Sequence, residues 1–193
     1  MNFAARPWLV AVILGLLAGC SDTPEQRLIK EFEDYKTKAE KGDVHAQKEI
    51  AEKFRTGKGV KKDQVQAVFW YQKAAKQGYA PAQNGLAFCY MFGMGAEKDE
   101  IQAISLYQTA AEQGYAPAQS FLGVCYALGW GVAKDEIEAY AFHSLARTED
   151  ASHKWLATLQ KKMSAGQIVA GERRFRELQK EIEAKIAAKK AGK

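Results

Sequence analysis

The 193-residue sequence predicts an all-α fold, an α-solenoid built from stacked pairs of antiparallel helices. A Gly-x-Gly triplet recurs every 36 residues, at 57–59, 93–95 and 129–131. The segment 77–83 returns unchanged at 113–119, and aspartate and alanine recur in the same register. Periods of about 20 to 50 residues are typical of repeat architectures, in which each unit buries its apolar face against its neighbours.

The composition sets limits on the class of protein. The chain is 47% hydrophobic and 26% charged, with a formal net charge of +5. These values exclude a disordered polar chain, a collagen-like chain and a protein with several membrane spans. The basic excess is too small to indicate nucleic-acid binding, so we expect no nucleic-acid partner.

Residues 1–19 have the pattern of a secretory signal. A single basic residue, Arg6, precedes an apolar run at 7–17 that is too short to span a membrane, and small residues follow it. An uncleaved membrane anchor is the alternative. The quartet Leu17-Ala18-Gly19-Cys20 resembles the bacterial lipobox, which implies acylation of Cys20 and cleavage before it. Ser21, in place of an aspartate, then implies sorting to the outer membrane, with 20–23 as a short tether.

The first predicted element is a capping helix at 24–42. Thr23 and Gln26 have the spacing of a capping box, in which each side chain bonds the backbone of the other residue. We expect the helix to turn Ile29, Phe32 and Tyr35 toward the core.

Three repeats follow at 43–79, 80–115 and 116–150. In the second and third, the first helix begins at an Ala-Pro-Ala-Gln segment and ends at Gly93 or Gly129. The helical spacing leaves one position of the core face open in each of these helices. In the second repeat the face contains Leu86, Tyr90 and either Phe88 or Cys89. In the third it contains Leu122, Tyr126 and either Val124 or Cys125.

The second helix of each repeat begins at an aspartate that is followed three residues later by Gln or Glu, which predicts capping boxes at Asp63, Asp99 and Asp135. Gly78 and Gly114 end two of these helices. We expect the first of them to bury Val65, Ala67, Val68, Tyr71, Ala74 and Ala75.

Residues 151–193 form C-terminal capping helices with a basic tail. Trp155, Leu156 and Leu159 predict one more helix of the first type. Ser164 then caps a long last helix, in which Gly171 marks a kink or a close backbone contact. Its apolar stripe consists of Ile168, Phe175, Leu178, Ile182 and Ile186.

The repeat residues resemble the Sel1-like family, which is related to tetratricopeptide repeats. The match is best at 57–63 and 70–75 and in the third unit from Leu122 to Asp135, and the likeness extends over about residues 24 to 180. The family glycine is replaced by Ala51 and Ala87, and its valine by Ala96. The resemblance implies a right-handed solenoid and an adaptor that holds other proteins.

No residue pattern indicates catalysis, a cofactor or a metal site. Cys89 and Cys125 occupy equivalent positions about 10 Å apart, too far for a disulfide, and are expected in the core. His45, His143 and His153 lack metal-ligand spacing, and His143 takes the place of a core tyrosine. The repeated aspartates are explained as helix caps. The Gly-x-Gly triplets end a helix and do not follow a strand, which excludes a nucleotide site.

The first helices predict a partner-binding face. Tetratricopeptide-like geometry places the polar residues Lys48, Glu52, Arg55 and Thr56, three of them charged, at one end of it. The apolar end is predicted to bind protein through Phe88, Met91, Phe92, Val124, Leu128 and Trp130. The alternative is that Phe88, Phe92 and Leu128 pack against the Trp155 helix or the last helix.

The sequence therefore predicts a lipoprotein of the cell envelope that is anchored through Cys20 and binds a periplasmic or envelope protein. Its expected location is the outer membrane, on the side that faces the periplasm. One alternative is a β-lactam-binding or hydrolysing protein of the cysteine-rich Sel1-like type, although the second cysteine of each repeat is absent. Another is a module for cell wall or anionic surfaces, because 172–193 hold eight basic and four acidic residues, among them the C-terminal lysines.

Overall fold

A computed structural model describes residues 23–192. This part of the chain contains nine helices and no strand. Their bounds are α1 Pro24–Glu40, α2 Val44–Thr56, α3 Gln64–Lys76, α4 Ala80–Phe92, α5 Glu100–Ala111, α6 Ala116–Leu128, α7 Glu136–Leu145, α8 Asp150–Lys162 and α9 Ala165–Ala191.

The helices from α1 to α8 pack against their neighbours in sequence order, as a solenoid requires. The last helix departs from this order, because α9 packs chiefly against α7. The predicted all-α solenoid is confirmed. Three apolar clusters drawn from residues 32–178 make up its core, so a chain that begins at residue 21 carries every residue of these clusters.

The caps divide into two kinds. Thr23 with Gln26 and Ser164 with Gln167 form complete capping boxes, as predicted. At Asp63, Asp99 and Asp135 the carboxylate accepts a bond from the amide three residues on, but the reciprocal bond is missing, so the predicted boxes are wrong in this half. The reason is that the aspartate amides already donate to first-helix carbonyls, those of Phe54, Tyr90 and Tyr126.

The second glycine of each triplet is a spacer between units. Gly59, Gly95 and Gly131 all have positive φ, between 67° and 79°. A Cβ at these positions would meet the backbone carbonyl of Leu28, Gln64 and Glu100 respectively. The triplet therefore sets how closely a repeat approaches the helix before it.

Two apolar residues lie outside the core, contrary to prediction. Val65 is 65% exposed and Ile29 is 47% exposed. At 100° per residue, Val65 lies about 150° from the centre of the buried stripe of α3, which contains Ala67 and Tyr71. Ile29 is exposed because α1 ends the stack and has α2 as its main packing partner.

The C-terminal helices complete the stack. Leu159 of α8 and Leu178 and Ile182 of α9 are buried. The last helix runs unbroken through Gly171, where a Cβ would lie 2.6 Å from the ring of Tyr140. Of the two predicted roles for this glycine, the structure therefore selects the close contact.

Candidate partner-binding surface

The helices α2, α4 and α6 form one side of the solenoid, here named the first-helix face. Three of the predicted contact residues are exposed on it: Phe92 at 44%, Leu128 at 45% and Trp130 at 37%. Phe88 and Val124 are half-buried. The structure corrects the placement of Met91, which is 2% exposed and lies in the core, so Met91 is not available to a partner.

The aromatic cluster consists of Phe88, Phe92, Phe121 and Trp130. The ring centroid of Phe92 lies 4.7 Å from that of Phe88 and 6.1 Å from that of Trp130. Phe121 meets Phe88 edge-on at 5.8 Å. These contacts join α4, α6 and the loop after α6 into one continuous apolar surface.

Sequence reasoning missed Phe121, although a signal for it exists. Phe121 stands one repeat after Gly85 and stacks on Tyr107, with ring centroids 5.1 Å apart. In the preceding repeat, a Cβ at Gly85 would lie 2.5 Å from the ring of Tyr71. A glycine at a position that is aromatic in the next unit indicates a hollow in the surface.

That hollow is a cleft of about 140 Å³ between α2 and α4. Its charged wall is an ion pair between Arg55 and Glu52, whose nitrogen and oxygen are 2.6 Å apart. The Tyr71 hydroxyl donates to Glu52 at 2.5 Å. Burial, and next the negative charge of Glu52, raise the pKa of Tyr71 well above its usual range. Asn84 adds a buried Oδ1 without a hydrogen-bond partner.

His143 replaces this tyrosine in the third repeat. It is fully buried, its Nδ1 lies 3.3 Å from the Ser152 Oγ, and Ser152 in turn donates to Ser120. Trp155 stacks on the imidazole at 5.6 Å, and the Nε2 has no partner. Burial lowers the pKa of His143 from 6.5 to about 4. The residue is therefore a neutral core side chain.

The last helix lies against the second helices and leaves the aromatic cluster open. Arg174 of α9 pairs with Glu138 of α7 at 2.7 Å, and Lys185 pairs with Glu112 at the end of α5 at 2.6 Å. Phe92, Leu128 and Trp130 keep their exposure with α8 and α9 in place. The alternative that these two helices cover Phe92 and Leu128 is therefore wrong. Contact of the C-terminal lysines with an anionic surface stays a prediction.

The remaining chemistry-bearing residues form no site within 23–192. Cys89 and Cys125 are free thiols in the core, and burial raises their pKa values to about 11 and about 12. In the same part of the chain, no group of three or more His, Cys, Asp and Glu side chains is placed to hold a metal ion. None of its helices is long and apolar enough to cross a membrane. The predicted lipidation site, Cys20, lies outside the described residues.

Comparison with known proteins places these repeats in context. The model of the Sel1 repeat family matches residues 44–79, 80–115 and 116–149, more than half of the chain. The Sel1 repeat protein from Oxalobacter formigenes is 35% identical, with a TM-score of 0.58 over 67% of this chain and 98% of that one. No curated protein gives a significant match.

A second solved structure is similar over nearly the whole chain. It is c5321, a protective antigen present in uropathogenic Escherichia coli strains and displaying an SLR fold. The identity is 26% and the TM-score 0.53, over 96% of this chain. The chain spans 47% of the length of that protein.

Proposed function

The chain belongs to the Sel1 repeat family, and from this premise we propose that it is a lipid-anchored envelope protein that holds a protein partner on its first-helix face. The observation that carries the proposal is the exposed aromatic cluster, which no other helix of the described chain covers. Exposed apolar surfaces of this kind mark interaction sites in soluble domains. The proposed role is a scaffold without catalysis of its own.

The chemistry of the face specifies the partner. Phe92, Leu128 and Trp130 offer an apolar and aromatic surface for an amphipathic helix or an extended segment with large apolar side chains. The Glu52–Arg55 pair lies at the charged end, in the wall of the cleft at Gly85, and suits a polar flank. Aromatic anchors at the centre and polar groups at the edge are the usual arrangement of a protein interface.

The test compares two triple variants on opposite faces. Phe92→Ala, Leu128→Ala and Trp130→Ala remove the proposed anchors. Val65→Ala, Phe69→Ala and Ile101→Ala are the matched control, because these residues are 65%, 45% and 78% exposed on the second helices. A photo-reactive residue at position 92 or 69 in cells identifies the bound protein, and binding of that protein is then measured for both variants.

We expect cross-linking from position 92 and a drop in affinity of about tenfold or more for the first variant only, as for loss of interface anchors. Equal affinity of the first variant and the unchanged chain, with the fold intact by circular dichroism, would rule out the first-helix face. An equal loss in the control would place the partner elsewhere.

The anchor is a separate part of the proposal. It is supported by the signal-like residues 1–19 and by the lipobox-like quartet that ends in Cys20. Stable anchoring of this kind needs more than one acyl chain, as a lipobox cysteine carries. We expect labelled palmitate to be incorporated into the protein, and the labelled protein to be found in the outer-membrane fraction. A Cys20→Ser chain that takes up the same label would exclude this site.

A further inference from the structure

The loop between α2 and α3 lies against the start of α1. Gly59 of this loop lies so close to α1 that a Cβ there would meet the carbonyl of Leu28, and a cleft of about 580 Å³ runs between the two segments. Lys58 and Lys61 line the cleft together with Leu28 and Ile29, which are 37% and 47% exposed. The fold thus places exposed aliphatic side chains and exposed cations side by side.

The three loops of the repeat array differ in charge. The first loop carries Lys58, Lys61 and Lys62, and the positions of the first two become Met94 and Glu97 in the second repeat. In the third repeat the same two positions are Trp130 and Ala133. Only the lysine before the cap aspartate is common to all three repeats.

That common lysine is neutralised in two of the repeats. Lys98 pairs with Glu100 at 2.6 Å, and Lys134 pairs with Glu136 at 3.5 Å. The first repeat has Gln64 at the acidic position, so Lys62 lacks this partner. Within residues 23–192, none of the three lysines of the first loop makes an ion pair, and Glu25 is the only acid that lines the cleft. The first loop is therefore a basic surface that its sister loops lack.

The predicted anchor lies close to this surface along the chain. Three residues, 21–23, separate Cys20 from the start of α1 at Pro24. An extended chain spans at most about 3.6 Å per residue, so Pro24 lies within about 15 Å of the acylated position. Anionic lipid attracts basic residues over a Debye length, which is about 8 to 10 Å at physiological salt.

We propose that the first loop and the start of α1 form a membrane-contact surface for anionic phospholipid headgroups. Lys58, Lys61 and Lys62 bind the phosphates, and Leu28 and Ile29 enter the headgroup region. The proposal rests on the proposed function for the position of the anchor. It places the first repeat at the lipid surface and the aromatic cluster further along the stack, where a partner can reach it.

The test measures this surface without the lipid anchor. A chain of residues 21–193, checked by circular dichroism, is sedimented with vesicles of phosphatidylcholine alone or with phosphatidylglycerol, at low and high salt. We expect binding to the anionic vesicles only, weakened by salt. Each lysine near an anionic surface contributes about a fivefold change in partition, so Lys58→Glu, Lys61→Glu and Lys62→Glu together lower binding more than tenfold.

The matched control reverses the same number of charges at the other end of the solenoid. Lys154, Lys161 and Lys162 of α8 are exposed, and their change to Glu leaves binding within about twofold if the surface is at the first loop. Leu28→Ser with Ile29→Ser lowers the binding that persists at high salt. Equal binding by the loop variant and the unchanged chain overturns the proposal, as does an equal loss in the α8 control.

The two proposals fail separately. Palmitate labelling of Cys20 tests the anchor, and the vesicle assay uses a chain that has no acyl group. A labelled Cys20 with no effect of the loop lysines overturns this inference alone. A chain that binds vesicles as expected but takes up no palmitate overturns the anchor and leaves the surface.

Discussion

The first and third repeats share a backbone and differ in the polar group that they bury. In both, a Gly-x-Gly triplet with positive φ precedes a cap aspartate whose amide donates to the first helix. In the first, the Tyr71 hydroxyl donates to Glu52, beside Arg55. In the third, His143 meets Ser152 in an uncharged chain. The residues that space the repeats are constant, while those that finish the first-helix face vary.

The second repeat shows that this variation has a cost. The Tyr107 hydroxyl is buried without a hydrogen-bond partner, because Phe88 and Met91 stand where the first repeat has Glu52 and Arg55. A buried polar group without a partner is destabilising. The same exchange supplies Phe88, whose ring packs against that of Phe92 in the aromatic cluster.

The largest expected effect comes from a substitution in the Gly-x-Gly triplet that all three repeats share. Gly95→Ala adds a Cβ that overlaps the Gln64 backbone, at a position with a φ of 79°. Left-handed strain and overpacking together lower the free energy of unfolding by about 4 kcal/mol. Gly78→Ala is the control, since its φ is also 79° but nothing lies within 4 Å, and it loses only about 1 to 2 kcal/mol. Urea unfolding of both variants gives the comparison, and equal losses would contradict a spacing role.

The next largest effect is a pH dependence of the unfolding free energy, which we expect from His143 of the third repeat and not from Tyr71 of the first. Because burial lowers the pKa of His143 from 6.5 to about 4, the unfolded chain binds a proton more readily than the folded one. The free energy of unfolding is therefore unaffected by this group above pH 6.5 and falls by up to about 3 kcal/mol as the pH drops to 4.

Urea unfolding across this range is compared with His143→Gln, which cannot titrate. The difference in unfolding free energy between the two proteins should shift with pH in that window. A constant difference would show that His143 does not titrate in the folded chain, or titrates near its ordinary pKa.

The smallest effect compares the first and second repeats. Tyr71→Phe removes a hydroxyl that donates to a carboxylate, and the free energy of unfolding should fall by about 1.5 to 3 kcal/mol. Tyr107→Phe removes a hydroxyl without a partner and should be neutral or slightly stabilising. Thermal unfolding of the pair measures both, and a Tyr107→Phe loss as large as that of Tyr71→Phe would show that the hydroxyl is satisfied in solution.

Much of the fold followed from short-range rules. The 36-residue period gives the number of units by comparison of distant segments. The proline starts, the glycine ends at Gly57, Gly93 and Gly129, and the caps at Thr23 and Ser164 depend on residues within one turn of each other. Such signals are local, so the amino-acid sequence contains all of the information needed to recognise them. The sequence by itself therefore determined an all-helical array of three units with flanking helices.

The tertiary structure decided the rest, because those outcomes depend on residues that meet only across the stack. In the folded chain Cys89, and not Phe88, lies in the core, Met91 is buried and Val65 is exposed. The tertiary structure placed α9 on the second helices and so left the aromatic cluster open. It also brought the unpaired lysines of the first loop to the start of α1. Helical spacing defines a stripe of about 100°, and only the position of the neighbouring helices determines which edge of that stripe is covered.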